Sequence, residues 1–96
     1  MLYNFHWDPR KAASNVSKHG VTFQQAATVF KDPTALSIYD TEHGRGEDRW
    51  MTLGLCATGI LLVVHHTFVE DNPDFVAIRI FSARKATKHE QLQYAE

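Results

Sequence analysis

Apolar residues recur every third or fourth position early in this chain and every second position later, and the change of period predicts its layout. Tyr3, Phe5 and Trp7 alternate with Leu2, Asn4 and His6, which predicts a short first strand. Asp8-Pro9 then opens a helix: the carboxylate caps exposed amides, and proline suits the first helical position, where its missing N–H costs nothing. That helix runs through Ala12, Ala13 and Val16, carries Lys18 and His19 in its last turn and stops at Gly20. Thr22 with Gln25 forms a capping box for a second helix, whose apolar stripe is Phe23, Ala26, Ala27 and Phe30. Asp32-Pro33 ends it.

Beyond this point the period is two. Leu36–Tyr39 reads as a strand and Thr41–Gly46 as a polar loop. Arg49–Cys56 and Ile60–Phe68 read as a hairpin turning at Ala57-Thr58-Gly59. Val69–Asp74 reads as an acidic loop, Phe75–Phe81 as the last strand, and Thr87 with Glu90 as the cap of a short final helix that Leu92 and Tyr94 dock. The fold class is α+β: two N-terminal helices packed on one face of a small, mainly antiparallel sheet, with a short C-terminal helix, in a single domain over residues 1–96. The other face of the sheet is left to bind something.

Composition adds constraints. Hydrophobic content of 44% and charged content of 22% are ordinary for a globular domain. The longest apolar run, Ile60–Val64, is strand-sized, so no membrane association is expected. The N-terminus does not resemble a signal peptide, and the one cysteine, Cys56, suits a reducing compartment; the expected location is the cytoplasm. A net charge of −1 argues against nucleic-acid binding by bulk attraction. The charge is uneven, however: cations gather at Arg10, Lys11 and Lys18 and again at Arg79, Arg84, Lys85 and Lys88. Ile78 and Ile80 share one strand face, which puts Arg79 on the other with Ala77 and Phe81. A guanidinium there needs an acidic partner or an anionic ligand, and the cations that follow suggest a phosphate-binding corner.

Several segments together resemble one family. Trp7-Asp8-Pro9-Arg10-Lys11-Ala12, Asn15, Lys18-His19-Gly20-Val21, Phe23, Ala26-Ala27 and Asp32-Pro33 resemble the N-terminal half of BrnT toxins. The resemblance continues in Glu47-Asp48-Arg49-Trp50, Thr52, Gly54, Leu62-Val63-Val64, His66-Thr67, Arg79-Ile80, Ser82-Ala83-Arg84-Lys85-Ala86 and Tyr94. It implies the toxin half of a bacterial type II toxin–antitoxin pair, a ribonuclease of the RelE-like group that inhibits translation. It implies a BrnA-like antitoxin with a ribbon-helix-helix DNA-binding part, and operator DNA bound only through that partner. It implies no metal or organic cofactor. One departure is the acidic segment Glu70–Asp74, longer than is usual in the family, which would weaken RNA binding if it lay near the site.

Metal-free RNA cleavage needs a base for the 2′-hydroxyl, positive charge at the phosphorane and an acid for the leaving 5′-oxygen. Arg79 is the first choice for the phosphorane clamp; its alternative role is an ion pair with Glu47 or Asp48. Arg49 is a second phosphate contact or a surface arginine, and Glu47 a base or the group that orients the arginines. His66 is the candidate proton shuttle or a buried core histidine, and His65 points to the opposite face. Lys85 and Arg84 would bind phosphate or assist the leaving group, with Lys88 beside them. Lys11 and Asn15, four apart on one helix face, contact RNA or face water; Lys18 and His19 contact RNA or serve the end of the first helix; and Trp50 stacks a base or fills core. The alternative reading is a non-catalytic binding module that acts as a co-repressor subunit with a DNA-binding partner.

Overall fold

The computed structural model describes residues 2–41 and 48–96. Its elements in chain order are β1 (Leu2–His6), α1 (Pro9–His19), α2 (Phe23–Thr28) continued by a 3-10 turn (Val29–Lys31), β2 (Leu36–Tyr39), β3 (Arg49–Leu55), β4 (Leu61–Thr67), β5 (Val69–Asn72), β6 (Phe75–Lys85) and α3 (Lys88–Ala95). The fold is α+β with a mixed six-stranded sheet ordered β1-β6-β4-β3-β2, β5 also pairing with β6. No helix among the described residues is long and apolar enough to cross a membrane.

Local chemistry sets the helix ends. The Asp8 carboxylate accepts from the Arg10 amide at 2.8 Å, and Gly20 takes the left-handed conformation (φ 68°) that closes α1. Thr22 with Gln25 and Thr87 with Glu90 form complete capping boxes. The core joins Val21, Phe23, Ala26 and Val29 to Leu62, Val64, Val76, Ile78, Ile80 and Ala83 of the sheet. Each large side chain fully withdrawn from water there contributes about 1.5–3 kcal/mol.

The sheet is mainly antiparallel, and three features add to or differ from the sequence expectation. First, β1, whose partner the sequence left open, runs parallel to β6, pairing Phe5 with Ile78 and His6 with Arg79. Second, the acidic segment is strand β5, which forms a hairpin with β6. Asp74 lies just before Phe75, the first residue of β6, roughly 16 Å from Arg79 at ~3.3 Å per residue. That exceeds the ~8–10 Å range of charge interactions in physiological salt, so Asp74 does not oppose anions at Arg79; Glu70, paired with Val76, stands closer, about 11 Å away. Third, β6 continues to Lys85, which makes Arg84 and Lys85 strand residues.

The Asn15 side chain replaces a strand at the edge of β6. Its Oδ1 accepts from the Ala83 amide at 3.0 Å, and its Nδ2 donates to the Ala83 and Val21 carbonyls at 2.8 and 2.9 Å. A strand residue's N–H and C=O point to the same side, so α1 closes β6 on the side away from β4, beyond the end of β1. The reading of Asn15 as an RNA-facing residue is therefore corrected: it is 4% exposed, and its bonds fix the position of α1.

Candidate functional site

The candidate site lies on the sheet face opposite the core. Arg49 pairs with Thr67, the Thr67 hydroxyl accepts from the Arg79 amide at 3.0 Å, and Arg79 pairs with His6. Arg49, Thr67, Arg79 and His6 thus form one row across four strands. The two arginine backbones, two strands apart, stand about 10 Å from each other. Their side chains nevertheless converge: the Arg49 and Arg79 guanidiniums lie 4.3 and 4.5 Å from the centroid of the Phe81 ring. The Lys11 ammonium of α1 lies 5.4 Å from the same centroid. The ring's negative face offsets part of the mutual repulsion, by about 0.5–1 kcal/mol per cation at an exposed site.

A β-bulge aims these residues. β4 pairs His65 with Ser82 and His66 with Ile80, which leaves Phe81 as the extra residue of β6. Ile80 and Ala83 both enter the core, so Phe81 and Ser82 both stand on the opposite face. There they border two cavities. One, of about 210 Å³, is lined by Asp40, Arg49, Trp50, His65, Phe81 and Ser82. The other, of about 260 Å³, includes Lys11, Lys18 and His19 with the same Phe81 and Ser82. Lys11, Lys18 and His19 of the sequence reading therefore adjoin the arginine row. Arg79 is exposed and Arg49 half-buried. Glu47 lies outside the described residues.

His66 does not share this surface. It is 1% exposed on the core face, its ring edge-on to Phe30 at 4.7 Å. Its Nδ1 is 2.8 Å from the Thr67 carbonyl, an acceptor only, so Nδ1 carries the proton. Nε2 then accepts from the Thr52 hydroxyl at 2.6 Å, and Thr52 accepts from Ser37 at 2.8 Å. Burial pushes His66 down to about 4, so it is neutral at pH 7 and fully bonded. The expectation of His66 as shuttle gives way to its other reading, a buried core histidine. The histidine beside the arginines is His65, half-buried in the smaller cavity.

The remaining cations are elsewhere. Arg84 makes a two-pronged ion pair with Glu90, at 2.7 and 2.9 Å. The bonds to Glu90 raise Arg84 above its ordinary value, and the Arg84 guanidinium, aided by the Thr87 amide, holds Glu90 down to about 2. That pair docks α3. Lys85 and Lys88 are exposed at this end, with Lys85 six residues along β6 from Arg79, roughly 20 Å. Trp50 packs edge-on against Tyr39 at 5.2 Å and lines both the smaller open-face cavity and a cavity on the core side. His65, Phe81 and Ser82 were the residues missed. The period-two rule had already put Phe81 on the face of Arg79; strand register was needed to add the other two.

A crystal structure of the Brucella abortus ribonuclease toxin BrnT, at 1.1 Å resolution, is similar in fold: the TM-score is 0.65 at 22% identity, over 92% of this chain and 100% of that one. No curated protein matches the chain. Residues 7–90 match the family described as "Ribonuclease toxin, BrnT, of type II toxin-antitoxin system". With a match over most of its length, the chain belongs to the BrnT family of ribonuclease toxins of type II toxin–antitoxin systems.

Proposed function

We propose that this chain is a metal-independent endoribonuclease of the RelE-like group that cleaves RNA, inhibits translation in the cytoplasm and is neutralised by a BrnA-like ribbon-helix-helix antitoxin, through which alone it reaches operator DNA. The observation that carries the reading is the convergence of Arg49, Arg79 and Lys11 on Phe81, beside His65.

In this reading the 2′-oxygen of a ribose attacks the adjacent phosphorus and gives its proton to a base. The P–O5′ bond then breaks, and the 5′-oxygen takes a proton. The products are a 2′,3′-cyclic phosphate and a 5′-hydroxyl. Arg49 and Arg79 hold the phosphorane oxygens, where a well-placed cationic donor is worth about 3–4 kcal/mol. His65 transfers a proton, as suits a residue type that titrates near neutrality. Glu47 keeps the base or orienting role. Lys11, Lys18 and His19 hold the flanking phosphates. Phe81 supports the arginines and offers a face on which a base can stack.

Induction of the chain alone in a bacterium tests this. Growth arrest with mRNA cleavage, relieved by a folded Arg79→Ala variant, is the expected result. Unchanged growth and intact mRNA, with folded protein accumulating, would contradict it and favour the co-repressor reading.

A further inference from the structure

The face that carries the arginines also carries aliphatic surface that RNA cleavage does not use. Strand register arranges it in successive rows. Leu36, Leu53 and Val63 form one row, and Ile38, Met51 and His65 form the next. The third is the arginine row of Arg49, Thr67 and Arg79. Rows on one face repeat about every 6.8 Å, so the aliphatic rows abut the proposed site directly.

These aliphatic groups are incompletely covered. Ile38 is 58% exposed and Leu36 43%, while Leu53 and Val63, beside Leu36 in its row, are buried. With α3 they line a groove of about 230 Å³ that includes Gln93 and Glu96. β2 ends the sheet, and its outer side has no strand neighbour among the described residues. Solvent-facing edge strands ordinarily carry charges, lysine or proline that prevent pairing with another chain. The sequence of β2, Leu-Ser-Ile-Tyr, has none. RNA presents phosphates, sugars and planar bases, and none of these matches an aliphatic row on an unguarded edge.

We infer that this surface is the docking site of the antitoxin, whose segment lays aliphatic side chains over Leu36, Ile38 and Met51 and extends carboxylates over Arg49, Arg79 and Lys11. The inference rests on the toxin reading above and names how its site is closed. Charge complementarity selects the polarity of the segment, because the aliphatic rows lead on one side to a row in which Arg49, Arg79 and the nearby Lys11 outnumber the one acid lining its cavity among the described residues, Asp40, whose amide donates to the Arg49 carbonyl. The partner then neutralises by covering His65 and replacing phosphates at the arginines, without any change of fold.

The test uses purified full-length chain and its cognate antitoxin. Ile38→Glu puts a charge into the aliphatic row at an exposed position outside the reacting groups. Its Kd for the antitoxin, by calorimetry, is expected to rise about 100-fold or more, the loss typical of a central interface residue. RNA cleavage without antitoxin falls much less than antitoxin binding, since the new carboxylate stands about 8 Å from Arg49 at the limit of charge screening, and is no longer suppressed when antitoxin is added. Ile60→Glu, at an exposed apolar residue of the β3–β4 turn, at the opposite end of that hairpin from the arginine row, changes neither. Hydroxyl-radical footprinting of the wild type serves if Ile38→Glu does not fold: antitoxin should protect Leu36, Ile38 and Met51 and leave Ile60 reactive. An Ile38→Glu Kd within about threefold of wild type, or no protection of these residues, overturns the inference. So does a wild-type homodimer that Ile38→Glu makes monomeric without weakening antitoxin binding, which would assign the face to a second copy. The binding readouts contain no RNA. Absence of cleavage in every variant would therefore count against the ribonuclease reading, while loss of antitoxin binding in Ile38→Glu would still support the docking site.

Discussion

Asn15→Leu is predicted to be among the most destabilising single substitutions in the chain, although it keeps the same heavy-atom branching. The asparagine is 4% exposed and makes three hydrogen bonds to main chain, two to Ala83 and one to Val21. Leucine leaves one buried N–H and two buried carbonyls without these partners. A stranded buried group costs about 1–3 kcal/mol, with carbonyls at the lower end because a second lone pair can find other donors. The sum is about 3–5 kcal/mol, a large part of the ~5–15 kcal/mol that holds a domain of this size together. At about 4–8 °C per kcal/mol, Tm should fall by roughly 15–30 °C in a thermal melt at pH 7. Where the variant is still folded, its KM for RNA should rise, because α1 then holds Lys11 and Lys18 less firmly against Phe81 and Ser82. A fall in Tm of less than about 5 °C would refute the claim that this carboxamide closes the edge of β6.

Other predictions follow from the same geometry. Arg49→Ala and Arg79→Ala should each lower kcat/KM for RNA cleavage by about 10²–10³-fold, far more than they lower the folded fraction, as loss of a transition-state cation does; equal loss of activity and folding would contradict a chemical role. His65→Ala should lower kcat for RNA cleavage by about 10²–10⁴-fold, as loss of a positioned proton-transfer group does, whereas His66→Ala should lower Tm more than it lowers the rate per folded molecule. The His66 pKa is depressed on folding, from about 6.5 to about 4, so its contribution to stability is complete above about pH 6.5 and is lost as pH falls through 4. The loss is of order 3 kcal/mol, and His66→Gln should remove most of that slope from urea-unfolding free energies measured between pH 7 and 4. Tyr94→Phe removes the phenol that bonds Asp32 and Thr34, both at 2.6 Å, and should lower the urea-unfolding midpoint without altering cleavage.

The parts of the fold that depend on a few adjacent residues were legible in the sequence. Asp8-Pro9, Gly20 and the capping boxes at Thr22 and Thr87 satisfy or end local hydrogen bonding, so nothing distant alters them. The faces within single strands were also legible: Arg79 stands with Phe81, and His66 with Leu62 and Val64. Pairing between strands was not. The sequence does not reveal that His66 pairs with Ile80, which puts it on the core side and leaves His65 beside Arg49. Nor does it reveal that one extra residue at Phe81 turns Ser82 to the open face. The parallel pairing of β1 with β6 depends on residues some seventy positions apart. Arg84 looked equivalent to Arg79 because both are arginines in one cationic segment, yet Glu90, in the capping box that follows, holds Arg84 in an ion pair.

The central claim is that the open face brings Arg49 and Arg79 together at one phosphate. Its most direct test is the cleavage of a defined RNA by purified chain in excess EDTA, with the product ends identified and wild type compared with the Arg49→Ala/Arg79→Ala double variant. The account predicts 2′,3′-cyclic phosphate and 5′-hydroxyl ends from the wild type, and from the folded double variant a rate lower by at least the larger of the two single effects. Products bearing 5′-phosphates, or a double variant that cleaves at the wild-type rate, would contradict it.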